Sequence, residues 1–217
     1  MKITLRTGTL IACVLIAGCA TPASTLSDKT SMDVAMAAML KASFRDQGAV
    51  KLDRLDQDAA NSECSAAGTG DLTATRSNAI EQANLTTIKW PSDGKFIGDW
   101  KKGEAVAQSG RGATWSDVAG SPNGGNCYNC HQISKQEVSY GTIGPSLLNY
   151  GKLRGVSDPS AVSAKAIVQY TWGKIYNAKA YNACSNMPRL GHAGVITEEQ
   201  IRDVMALLLD PESPVNQ

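Results

Sequence analysis

Apolar residues recur along this chain at helical spacing, and no convincing strand-like alternation interrupts them. The clearest case lies near the C-terminus, in TEEQIRDVMALLLDP. Ile201, Val204, Met205 and Leu208 fall on one face, Thr197 can cap, Gln200 holds the capping-box position and Pro211 blocks continuation. A second helix is predicted over 98–109, stopped by Gly110 and Gly112. A third is predicted within SDPSAVSAKAIVQYTWGKIY, where a polar start places Pro159 near the first turn. MDVAMAAMLKASF and VKLDRLDQDAANSECSAA carry helix formers and predict helices over 32–44 and 48–60. Met32, Met36 and Met39 share helical spacing there, which suits core or partner packing better than a metal role. SPNGGN reads as a turn-rich loop and IGPSLLNYGKLRG as irregular, so the class is mostly α.

The N-terminus departs from this pattern. Lys2 and Arg6 precede a short apolar stretch from Leu10 to Ala17, too short to span a bilayer, which reads as a signal segment over 1–18. It ends in Leu15-Ile16-Ala17-Gly18-Cys19, a sequence resembling a lipobox, in which Cys19 would be acylated and become the new terminus. An ordinary cleavage near Ala20 or Ala23 is the alternative. Either route leads out of the cytoplasm. Residues 19–31 are small and polar and read as a tether, 32–89 as a helical N-terminal extension, and 90–217 as the principal domain.

The chain has 217 residues and a formal net charge of +1, so bulk charge gives no argument for nucleic acid. Local charge is less even. Residues 95–190 hold eleven Lys/Arg against five Asp/Glu. That basic stretch is either an ordinary solvated surface or a face that balances bound anionic groups and docks an acidic partner.

That same stretch contains GNCYNCHQ. Cys127, Cys130 and His131 form Cys-x-x-Cys-His, the attachment signature of c-type haem. On one helical turn both sulfurs face one side and can form thioethers to the haem vinyl groups, while His131 ligates the iron. A structural zinc site needs four ligands, and the chain has two histidines and no second Cys-x-x-Cys. A redox dithiol expects a βαβ context, which the pattern does not offer. Met187, in ACSNMPRLG, is the first choice for a second axial ligand, because Pro188 makes that segment a loop; His192 and Cys184 compete. Six cysteines are present. With Cys13 in the signal, Cys19 at the lipobox and two in the motif, Cys64 and Cys184 remain, as a disulfide or as unpaired buried thiols.

GNCYNCHQI, GTIGPSLLNYGKLRG and the run from KIYNAKAYNACSNMPRLGHAGVITEEQ to LLLDPESPVN together resemble the SoxX family, the monohaem cytochrome subunits of SoxAX complexes in sulfur oxidation. The resemblance extends from about Trp90 onward. It implies a class I-like cytochrome c domain carrying one covalent haem c, attached through Cys127 and Cys130 and ligated by His131 and Met187. It implies a SoxA-like partner holding one or two haems, in an L-cysteine S-thiosulfotransferase complex that oxidatively couples thiosulfate to a cysteine of the SoxYZ carrier. The subunit itself would be non-catalytic and would pass electrons to a small acceptor cytochrome c. Arg111 and Arg154 lie in matching stretches, one of them a partner for a propionate. A stand-alone membrane-anchored cytochrome serving a terminal oxidase, and a peroxidase-like enzyme with a labile methionine, are the competing functions.

Overall fold

The computed structural model describes residues 26–217, apart from 69–71 and 119. The chain forms two units, divided between Ser43 and Phe44. In the first, helix α1 spans Leu26–Ser43. The tether expected over 19–31 is therefore helical from Leu26 onward. Met32, Met36 and Met39 are 70%, 52% and 59% exposed, which removes core packing as their role. The expected signal segment and Cys19 lie outside the described residues.

The second unit, Phe44–Gln217, contains α2 (Ala59–Ala67), α3 (Ala74–Leu85), α4 (Trp100–Gln108), α5 (Tyr150–Leu153), α6 (Lys165–Tyr176) and α7 (Glu198–Leu209). The boundary expected near residue 90 falls inside this unit. No β-strand occurs among the described residues. The helix expected over 48–60 does not form. The chain turns at Gly48 with φ +56°, passes through a short 3-10 turn at Leu52–Leu55, and becomes α-helical only after Asp58. The Asp58 carboxylate accepts from the Asn61 amide at 2.7 Å, so it starts the helix where the sequence pattern was expected to carry one through. Pro159 likewise precedes α6 rather than opening it. Asp158 closes a local turn on Ser160, and a 3-10 turn at Val162–Ala164 leads into the helix at Lys165. Helix α3 had no counterpart in the apolar pattern, because only Ile80 and Asn84 are buried along it.

Helices α4 and α7 pack closely against each other. Gly103 permits this: a β-carbon there would strike the Asp203 carbonyl and the Val204 amide. α7 starts at the expected capping box, with Thr197 and Gln200 bonding each other's backbone at 3.2 and 2.9 Å. Its Ile201, Val204, Met205 and Leu208 are all buried, each contributing about 1.5–3 kcal/mol of apolar transfer. Trp172 of α6 is fully buried, donates to the Lys89 carbonyl at 2.9 Å, and meets Phe96 edge-on at 5.5 Å.

Candidate haem site

The last turn of α4 leaves backbone carbonyls without helical partners. The loop arriving at Cys127 uses them: Gly125 N–H donates to the Val106 carbonyl at 2.8 Å and Asn126 N–H to Ser109 at 2.9 Å. Asn126 adopts a left-handed conformation, φ +49°, and the chain enters a helical turn in which His131 N–H donates to the Cys127 carbonyl at 2.9 Å. Segment 141–147 then folds back along the motif. Gly141, Gly144 and Leu147 donate to the carbonyls of Tyr128, Cys130 and Gln132 at 2.8, 2.8 and 2.7 Å.

This return strand of chain fixes the imidazole. His131 Nδ1 lies 2.7 Å from the Pro145 carbonyl. A carbonyl only accepts, so Nδ1 carries the hydrogen and the Nε2 lone pair is left for a metal. Gly144 lies against the ring face, where a β-carbon would overlap imidazole atoms.

Cys127, Cys130, His131 and Met187 line a single cavity of about 620 Å³, within the size range of cofactor pockets. Its apolar wall includes Ile143, Leu147, Ile175, Leu190 and Leu208. Among the described residues, the cations Arg154 and Lys174 line it and no carboxylate does. The Arg154 guanidinium stacks on the Tyr150 ring at 3.7 Å and donates to the Tyr150 carbonyl at 3.1 Å. Tyr150 in turn bonds Thr171 at 2.9 Å; because Thr171 donates its hydrogen to Ile167, the phenol is the donor. Burial pulls the Lys174 ammonium below its ordinary value, an effect that an anion beside it would reverse. A flat apolar macrocycle bearing acidic side chains suits this cavity.

The rival uses of the motif fare less well. The Cys127 and Cys130 sulfurs are not joined to each other. Burial pushes the Cys127 thiol up to about 11, so as a free thiol it stays protonated at neutral pH, the opposite of what a redox dithiol needs. Among the described residues no cluster of three His, Cys, Asp or Glu side chains is placed to hold a metal ion.

The other expected residues separate. His192 is exposed and lies outside the cavity lining. Cys184 lines the cavity but is bonded to Cys64, with Cα atoms 5.6 Å apart. Arg111 is exposed and away from the lining, and its carbonyl takes the Gly124 amide at 2.8 Å. Lys174 was missed from sequence, since a lysine in the last turn of a helix looks like any solvated one. Pro145 was missed too, because its part is played by a backbone carbonyl.

Sequence comparison agrees with this geometry. The family profile described as Cytochrome c matches residues 101–210, from the second residue of α4 to just past the end of α7. The chain belongs to the cytochrome c family. As a family member it carries covalently bound haem c and transfers electrons. This cytochrome is also 41% identical over 133 residues to a protein called "Uncharacterized lipoprotein" from Aquifex aeolicus (strain VF5), a match covering 60% of this chain and 59% of that relative. The chain thus spans about three fifths of the curated relative it matches. No described helix of this cytochrome is long and apolar enough to cross a membrane.

Proposed function

We propose that this cytochrome is the SoxX-like electron-transfer subunit of a SoxAX-type complex. It takes electrons released at a SoxA-like partner when thiosulfate is coupled to the SoxYZ carrier cysteine, and hands them to a small acceptor cytochrome c. The observation that carries the electron-transfer part is that His131 and Met187 line one cavity with the two motif cysteines. When bound, haem c supplies one-electron exchange at its iron. Cys127 and Cys130 would hold it covalently, with His131 and Met187 as axial ligands and Arg154 and Lys174 nearest the acidic groups. The protein's own contribution is positioning. The Pro145 carbonyl fixes the imidazole tautomer, and the apolar wall would keep water from a bound haem. If His131 and Met187 both hold the iron, the haem would exchange electrons without binding a substrate at the metal.

The thiosulfate-specific part rests on the resemblance of the Met187 loop and the LLLDPESPVN tail to SoxX proteins. Those tail residues are structural here. The Asn216 side chain accepts from Gly151 and Lys152 N–H at 3.0 and 3.2 Å and donates to the Leu208 and Asp210 carbonyls at 3.1 and 2.8 Å. We further propose an extracytoplasmic site of action with Cys19 as lipid anchor, supported by Ala17-Gly18-Cys19 and by the relative called a lipoprotein. Purification from native membranes tests both parts. A co-purifying haem protein and thiosulfate-dependent haem reduction in the presence of a carrier are expected. The same lipoprotein relationship favours a second reading, a membrane-anchored cytochrome serving a terminal oxidase. Isolation without any haem-bearing partner, combined with reduction that ignores thiosulfate, selects that second reading.

A further inference from the structure

The segment 58–88 precedes the part of the chain matched to the cytochrome c family, yet its bonds converge on the loop that carries Met187. Cys64 of α2 is bonded to Cys184, three residues before Met187. Glu81 of α3 accepts from the Ala183 amide at 3.1 Å. Asp58, which caps α2, pairs with Arg189, two residues after Met187. Ala183 shares a buried apolar cluster with Ala60 of α2 and Ile80 of α3. Below the loop, Asn177 donates to the Asn84 side chain at 3.0 Å and to Thr87 at 2.9 Å. The loop is therefore gripped on both flanks of the methionine by elements outside the matched domain. Within the loop itself the backbone is sparsely bonded: Met187 N–H reaches only the Ser185 hydroxyl, at 3.2 Å.

We propose that α2 and α3 form a clasp that positions Met187 on the haem iron, with Asp58, Cys64 and Glu81 as positioning residues. The proposal rests on the assignment of Met187 as axial ligand. A loop ligand leaves the metal by local opening, and the frequency of opening follows from what holds the loop rather than from global stability. Here the holding groups are a covalent bond upstream and an ion pair downstream. Restraining both flanks lowers the population of methionine-off conformers in both oxidation states. This clasp closes the iron to small ligands and keeps its potential fixed during repeated turnover.

The test uses the full-length holoprotein. In Asp58→Asn the amide oxygen still caps α2 at Asn61, while the ion pair to Arg189 is lost. The Cys64→Ala/Cys184→Ala pair removes the covalent link. Asp93→Asn, which breaks a comparable ion pair to Arg202 at the start of α7, is the control. Three quantities are followed: the long-wavelength charge-transfer band of Met-ligated ferric haem on heating, helix content on heating, and carbon monoxide binding to the ferrous protein. The clasp predicts that both variants lose the band well before their helices melt. They should also bind carbon monoxide about tenfold faster or more than wild type, in proportion to the open fraction. Asp93→Asn should do neither. Band and helices melting together as in wild type, with unchanged carbon monoxide binding, overturns the clasp while leaving Met187 as ligand. Wild-type protein without the band removes Met187 from the iron and the clasp with it. Asp58→Asn alone decides the matter if the cysteine variant fails to mature.

Discussion

The Nδ1 atom of His131 sits 2.7 Å from the Pro145 carbonyl, so the motif histidine is oriented by a backbone atom fourteen residues downstream. The neighbour Gly144 lies against the imidazole with no room for a β-carbon. Gly144→Ala is therefore expected to push the ring out of place, costing about 1–3 kcal/mol of stability. Absorbance and electron paramagnetic resonance of the ferric holoprotein should show a high-spin or heterogeneous population. A low-spin spectrum matching wild type would place the ring elsewhere.

Met187 shares the cavity with His131, whereas His192 is exposed outside it. Met187→Ala should abolish the charge-transfer band, open ferrous haem to carbon monoxide and lower the reduction potential. His192→Ala should leave all three unchanged. A His192 variant that alters the spectrum reverses the assignment.

Gly103 lets α4 approach α7 closely enough that a β-carbon meets backbone rather than a movable side chain. Neither helix can yield without disturbing the other's packing. Gly103→Ala is expected to cost about 1–3 kcal/mol or more, read as a loss of several degrees in the Tm of the holoprotein. The haem spectrum at low temperature should survive, because the attachment turn is bonded to the far end of α4.

Asp203 is buried where α4 and α7 meet and accepts from the Asp99 amide at 2.8 Å. Burial pushes its carboxyl above the ordinary value. The folded state then holds the proton more tightly than the unfolded chain, so stability falls as pH rises from the ordinary carboxylate value through the raised one. Asp203→Asn keeps the accepting oxygen and removes the charge. It should be at least as stable as wild type at neutral pH. That advantage should disappear in acid below about pH 4, where both chains are neutral at this site. Urea midpoints across pH measure it; a variant less stable at every pH would show that the amide cannot satisfy the site.

What was legible in the sequence follows from how local each signal is. Helix α7 was clear because its apolar stripe, Thr197, Gln200 and Pro211 all agree within fifteen residues. Cys127, Cys130 and His131 stand out in the sequence because Cys-x-x-Cys-His is contiguous, and the structure puts all three on the wall of one cavity. Helix α3 was not, since a helix with two buried side chains has almost no stripe to detect. The stretch 48–60 was misread because Gly48 takes a positive φ that only its surroundings, at Trp115 and Asp117, require. Nothing local marks Glu81 and Asp58, because their partners, Ala183 and Arg189, lie more than a hundred residues away.

Asn216 closes the domain through a single amide. Its oxygen accepts from two N–H groups of α5, and its nitrogen donates to carbonyls at the end of α7. Both sets are groups that helix termini leave without partners. Asn216→Ala strands them while 7% exposed, with little access for water. Of the four, the Gly151 N–H and the Leu208 carbonyl belong to buried residues; each orphaned buried group costs about 1–3 kcal/mol, so a total of about 2–6 kcal/mol is expected. Asn216→Asp tests the direction of the bonds. Its carboxylate still accepts from Gly151 and Lys152 but faces the Leu208 and Asp210 carbonyls without a hydrogen to give. It should therefore be destabilised at neutral pH and recover partly in acid, where a protonated oxygen can donate again. Thermal melts at two pH values distinguish this from simple loss of volume, which would be independent of pH.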